Sequence, residues 1–330
     1  MKQKLTYLCT LAALLTATAC THDDAPAPGG TTEGTASAAF HIQTRADGTG
    51  IGQNQHAYLY LAERLPQLPD DEKLYCDKRY NVGNGAYLIE NLTAQWYKMA
   101  FICLPEGVEA PEPAESNHEF NDYVIDYSPV LINQDAQNPN KKDLAIYRQV
   151  IDRWLLPDET LREDVTLTRI TGQLVLDMGI LKDQFPGTVS NITVNLGKMP
   201  QKVYLHDNVD EYPDDAIMTN SLSYSFDISQ ETWESNDHFR VYLDLLPYDL
   251  TDATVKVKHE DETEDGATIE FPLVSGTHGS DVNTAQIEIK ANTRTTVYFR
   301  GMEDTEFEVR YAGFDNLSID VDGDDWNGWN

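Results

Sequence analysis

The sequence predicts an all-β protein: two β-sandwich domains behind an exported N-terminus. From Ala38 onward the chain is a succession of short alternating runs rich in Val, Ile, Thr, Tyr and Phe, separated by Gly, Pro, Asn and Asp. About eleven such runs occur, among them HAYLYLAERL, WYKMAFICL, GQLVLDMGI, HFRVYLDLL and TTVYFRG, more than one small sandwich uses. Roughly 310 residues beyond the export signal suit two domains better than one.

The first element is the signal, Met1 to Ala19. Lys2 and Lys4 supply its positive region, and Leu5 to Ala17 supply an apolar stretch too short to span a bilayer. Ala17, Thr18 and Ala19 stand directly before Cys20, an arrangement that resembles the bacterial lipobox. The resemblance implies that Cys20 is acylated and becomes the mature N-terminus, held on a membrane by chains worth about 0.8 kcal/mol per buried methylene. An ordinary cleaved signal with an incidental Cys20 is the blander alternative. Residues 20–38 have few large apolar side chains to offset ordering entropy and read as a flexible tether. Its pair Asp23 and Asp24 resembles the surface-export signal of Bacteroidetes lipoproteins.

Charge narrows the partners. The chain has 24 Lys and Arg against 55 Asp and Glu, a formal charge of −31. Losing Lys2 and Lys4 with the signal leaves 22 against 55, or −33. Such a surface suits solubility in a crowded extracellular setting and argues against nucleic acid.

Of four Cys, Cys9 leaves with the signal and Cys20 takes the lipid, so Cys76 and Cys103 remain in the body. An oxidising compartment permits a bridge between them. Cys103 also lies in an apolar run where a buried thiol is ordinary, and both readings stay open.

In the body, Tyr80 to Pro105 reads as a hairpin with a turn at Asn91 to Ala94. Its second strand places Tyr97, Met99, Phe101 and Cys103 on one face. Ala100, Ile102 and Leu104 lie on the other, which predicts a central strand covered on both sides. Residues 106–117 are acidic and Pro-rich, hence a loop. Leu144 to Leu156 carries apolar residues near helical spacing ahead of Pro157 and predicts the chain's one helix. Domains of 39–160 and 161–330 follow from that break. Beyond it, LTRITGQLVLDMGI and NITVNLGKM read as strands around a Pro-Gly turn, with Ile170, Leu174, Leu176 and Met178 toward the core. Asp261 to Gly266 (DETEDG) reads as a polar hairpin tip.

Chemistry is sparse. There is no nucleophile elbow, phosphate loop, zinc helix or Cys pair at metal spacing. His22, His41, His56, His206, His238, His259 and His278 are scattered and read as surface residues. Asp320, Asp322, Asp324 and Asp325 alternate as calcium ligands can, but Asp325 stands where an EF-hand loop needs Gly. An acidic segment whose Trp326 and Trp329 pack on the sandwich is the simpler account. No catalytic residue, metal or cofactor is assigned.

The lipobox, acidic tether, two β domains, LTRITGQLVLDMGI, NITVNLGKM and the ending DWNGW, in that order, resemble the fimbrillins of Bacteroidales. Their minor, FimB/Mfa-type subunits are the nearest in pattern. This resemblance implies two transthyretin-like β-sandwich domains behind a lipidated Cys20. It also implies a surface-exposed place at the outer membrane in a fimbrium, with other fimbrial subunits joined by strand exchange. Arg45, in FHIQTRADGTG, resembles the region where shaft subunits are cut by an Arg-directed protease; an exposed loop arginine is the alternative. An uncut, membrane-retained anchor or minor subunit is the expectation. A surface glycan-binding lipoprotein is the competing one, with Trp96, Trp154, Trp233, Trp326 and Trp329 available for sugar stacking.

Overall fold

The computed structural model describes residues 34–44, 55–63, 73–83, 85–113, 119–137, 143–185, 187–206, 212–261, 264–275, 286–301 and 307–314. Residues 1–19, read above as a signal, and Cys20, Arg45, His22, His278 and the stretch from Asp320 to Trp329 lie outside the described residues.

The first half holds β1 (Thr35–Gln43), β2 (Gln55–Glu63), β3 (Tyr75–Asn81), β4 (Gly85–Thr93), β5 (Trp96–Pro105), β6 (Val124–Asp126), α1 (Ser128–Asn133), β7 (Tyr147–Trp154), β8 (Thr160–Thr166) and β9 (Thr168–Arg169). Two sheets form from them, ordered β4-β1-β8 and β3-β2-β5-β7-β9. Between the sheets lies a core that includes Phe40, Ile42, Leu59, Met99, Phe101 and Leu167. As its apolar faces foretell, β5 is central, between β2 and β7. Tyr97, Met99, Phe101 and Cys103 enter this core.

Its other face, Ala100, Ile102 and Leu104, belongs to a second core. The 120–131 segment covers it, laying Phe120, Tyr123, Ile125, Tyr127 and Leu131 against the sheet. Tyr123 Oη donates to Cys76 O at 2.7 Å and Tyr127 Oη to Leu144 O at 2.6 Å, so these buried phenols find the partners that burial demands.

The second half contributes β10 (Gly172–Asp177), α2 (Leu181–Gln184), β11 (Thr188–Gly197), β12 (Lys202–Tyr204), β13 (Leu222–Asp227), α3 (Gln230–Glu234), β14 (Arg240–Leu245), β15 (Tyr248–Leu250), β16 (Thr254–Asp261), β17 (Glu264–Pro272), β18 (Ile287–Ile289), β19 (Thr293–Phe299) and β20 (Phe307–Gly313). Two four-stranded sheets, β14-β10-β19-β20 and β13-β11-β16-β17, enclose its core. Ile170, Leu174, Leu176 and Met178 are buried there as predicted. The acidic tip joins antiparallel β16 and β17, where Asp261 faces Glu264. At Gly172 a Cβ would stand 2.4 Å from Lys290 O, so only glycine lets β10 pass this close beneath the end of β18.

Three expectations change. Residues 147–154 are a strand, not part of a helix. Tyr147 and Ile151 pack into one core while Ile146 and Val150 reach the other; a strand apolar on both faces mimics helical spacing, and β-branched Val150 and Ile151 favour the strand. β1 begins at Thr35, inside the stretch read as tether, with Ala36 and Ala38 buried. Small side chains cost that segment hydrophobic signal yet fit between the sheets. Finally, β8, which begins at Thr160 itself, and β9 run past the expected boundary and still pair with first-half strands β1 and β7.

The halves are stitched together. β6 pairs with β12. Ala136 O accepts from Tyr242 N at 2.7 Å and Gln134 Oε1 from Asp244 N at 2.9 Å, closing the outer edge of β14. Arg169 of β9 reaches Asp244 of β14 in an ion pair whose side chains are 7% and 4% exposed.

Candidate functional site

The feature that combines an early place in the chain, nearness to Arg45 and deep engagement is β1. It is the middle strand of its sheet. β4 pairs antiparallel on one side, with Phe40 opposite Tyr87, and β8 pairs parallel on the other, with Phe40 opposite Glu163. Alternation fixes its faces. Ala38, Phe40 and Ile42 point inward and are 0%, 1% and 1% exposed, and Phe40 meets Phe101 edge-on at 4.9 Å. Outward, His41 is exposed with Nδ1 3.5 Å from Asp164, and Gln43 Nε2 donates to Thr166 Oγ1 at 2.9 Å.

Removing this one strand would leave β4 and β8 roughly two strand spacings apart, about 9.6 Å. Both would present unpaired backbone groups over an apolar floor containing Leu59, Met99 and Phe101. A slot of this kind demands an extended chain with small or apolar residues at alternate positions. Arg45 is the second residue beyond the end of β1, a position from which a cut would separate the strand from the body.

The other sequence-flagged residues do not converge on chemistry. Cys76 faces the second core and Cys103 the first, on opposite sides of one sheet, and both are reduced thiols. Burial pushes the Cys103 thiol up to about 12, far from the thiolate that reacts. Alkylation of the native protein is therefore expected to leave both cysteines unmodified, and denaturation to expose both. A peptide pair linked through Cys76 and Cys103 in a non-reduced digest would contradict this arrangement.

Trp96 and Trp154 face each other across β5 and β7, half-buried, and Trp233 packs against the second core. His206 stacks on Tyr204 at 4.7 Å. His259, read as a surface residue, is instead buried, because β16 turns it inward in line with Val255 and Val257. His238 Nδ1 lies 2.9 Å from the buried Asp177 carboxylate, a contact between residues 61 apart in sequence that their spacing could not reveal. Among the described residues no three His, Cys, Asp or Glu side chains gather as a metal site.

Fold and site together define a double β-sandwich protein whose distinctive element is an N-terminal strand seated between two others. No family model and no curated protein matches the chain. Among solved structures, a candidate cell adhesion protein from Bacteroides eggerthii superposes with a TM-score of 0.52 at 13% identity, covering 86% of this chain and 98% of that one. The two share a fold. A candidate polysaccharide-binding protein from Bacteroides thetaiotaomicron overlaps at 0.48 and 11% identity, over 86% and 96% of the chains. The fimbrial anchor protein Mfa2 from Porphyromonas gingivalis overlaps at 0.44 and 10%, over 84% and 98%. These two overlaps are too loose to add to the first.

Proposed function

We propose that this chain is a structural, accessory subunit of an extracellular fimbria, held at the outer membrane by a lipid on Cys20 and joined to other subunits by β-strand complementation. The observation that carries this reading is the seat of β1. One N-terminal strand fills the middle of a sheet and is followed almost at once by Arg45, so a single cut converts a closed sandwich into an acceptor for a neighbour's strand. Main-chain hydrogen bonds to β4 and β8 supply affinity, and the positions of Ala38, Phe40 and Ile42 set the register. With Arg45 intact the slot stays filled and the lipid stays attached, so the chain, as an anchor or minor component, joins a neighbour by giving a strand rather than accepting one; a cut at Arg45 opens the slot and parts the body from the lipid. The ordered motifs of the sequence favour the same role, and the adhesion protein with which the chain shares its fold suits it.

Two measurements test the reading. Cells lacking the gene are expected to show fimbriae that are altered in length or shed from the surface; normal, firmly attached fimbriae would refute the role. Mass analysis of the membrane-bound protein should find an acylated Cys20 peptide and continuous sequence through Arg45. Glycan-array binding that disappears on replacing Trp96 or Trp233, in cells with normal fimbriae, would favour glycan capture instead.

A further inference from the structure

In a chain of formal charge −31, basic groups gather on one surface, the outer face of the sheet β14-β10-β19-β20. By pleat and register, Arg240, Arg294 and Arg310 point away from the sandwich core there. Arg169 and Arg300 flank them. Three carboxylates share the face, and two lie beneath it: Asp177 and Asp244 are 2% and 4% exposed. At the far edge Glu231, Glu234 and Asp237 line one hollow with Arg240. Asp177 holds Arg240 Nε at 2.9 Å, and the side chains of Arg240, Arg300 and Arg310 remain 30%, 45% and 41% exposed. Arg300 and Arg310 both lie over the Tyr298 ring, at 5.5 and 5.1 Å. The third carboxylate, Glu308, pairs with both of these arginines, which hold it below the ordinary carboxylate range.

Along β19 and β20 the arginines outnumber the carboxylates: Arg294, Arg300 and Arg310 share Glu308 and the field of Asp244, which Arg169 holds. Arg294 Nε donates to the amide oxygen of Gln173 at 2.9 Å, a neutral partner. Burial, and then Arg169 beside it, hold its guanidinium below its ordinary value. Phe314 ends the described chain on this same face. Its ring lies 3.8 Å from the Arg169 guanidinium and 5.7 Å from that of Arg294, and its N–H donates to Asn292 O at 3.0 Å. The next residues, 315–325, contain Asp315, Asp320, Asp322, Asp324 and Asp325 and neither Lys nor Arg.

We propose that segment 315–325 folds back along this face as its occupant, its aspartates lying among Arg294, Arg310 and Arg300. The reach fits. From Arg294 to Arg300 along β19 is about 20 Å, roughly six extended residues, and Asp320 and Asp322 come six and eight residues after Phe314. Electrostatics also favour a tethered occupant over a free one. A free polyanion must approach against the net charge of the whole protein, whereas a covalently attached segment is present at millimolar effective concentration.

Hydrogen–deuterium exchange followed by mass spectrometry on the full chain tests this. At low ionic strength the amides of 315–325 should exchange at least about tenfold slower than in about 1 M salt, where charge attraction is screened within ~3 Å. The Arg300→Gln/Arg310→Gln variant and the Asp320→Asn/Asp322→Asn variant should both lose that protection at low salt. The aspartate variant alters no described residue and so reads docking apart from folding. Heparin, as a free polyanion, should displace the segment and restore fast exchange. Unprotected amides at low salt would overturn the proposal, as would protection that both salt and the arginine variant leave intact. Heparin binding to a chain whose segment is unprotected would overturn it too, assigning the face to an external polyanion.

Discussion

Replacing Asp244 with alanine is expected to destabilise the protein by about 3–5 kcal/mol, and replacing Arg169 with alanine by less, toward ~3 kcal/mol. The two side chains form a buried pair that ties β9, the last strand of the first half, to β14 of the second. Arg169 Nε also donates to Thr171 O and Oγ1, both at 3.2 Å. Gln173 Nε2 reaches Asp244 Oδ1 at 3.3 Å. The ordering of the two losses follows from what each truncation leaves behind. Without Arg169, the Asp244 carboxylate keeps the field of Arg294, which acts on the same site. Without Asp244, Arg169 and Arg294 stay buried side by side and repel. Removing both members, as Arg169→Met/Asp244→Leu, takes away the uncompensated charge along with the pair and should recover most of the loss. Urea unfolding of the four proteins measures all of this; equal losses, or a larger one at Arg169, would show that Arg294 plays no part.

The elements legible in the sequence are those whose period-2 pattern reports one environment per face. β5 is central because both its faces are apolar, and β10 turns Leu174 and Leu176 inward because their alternation is clean. β16 and β17 meet at the acidic tip. β7 failed the same test, since apolar residues on both faces blurred its period into that of a helix. The first turns of β1 were hidden for the opposite reason, their alanines being too small to register as core. Pairing order is not local information. The parallel partnership of β1 with β8 joins residues more than a hundred apart, and nothing in either segment specifies the other. The same holds for the outer arginine face, because Arg240, Arg294 and Arg310 share a side only once three strand registers are known. The candidate site is half legible: Arg45 stands in a run that resembles a processing region, but the slot behind it depends on β1 lying between two strands rather than at an edge.

That central position makes the largest functional prediction. A body beginning at Ala46, lacking β1, is expected to aggregate or unfold on its own and to be rescued by a synthetic peptide spanning Thr35 to Gln43. The rescue must be side-chain specific. Phe40 and Ile42 are each 1% exposed in the native sheet, and truncating a buried Phe costs about 3–5 kcal/mol. At 1.4 kcal/mol per tenfold, a Phe40→Ala peptide should bind about 10²- to 4 × 10³-fold more weakly than the native one. A His41→Ala peptide should bind almost as well as the native sequence, because that side chain points to solvent. Shifting the peptide by one residue would turn Phe40 outward and should abolish rescue, since register and face are locked together. Fluorescence anisotropy of labelled peptides gives the affinities, and the thermal midpoint of the refolded body gives the rescue. A Phe40→Ala peptide that rescues as well as the native one would mean that backbone pairing alone fills the gap, so that the slot could not discriminate among subunit strands. Failure of the native peptide to bind would remove the acceptor and, with it, the proposed strand complementation.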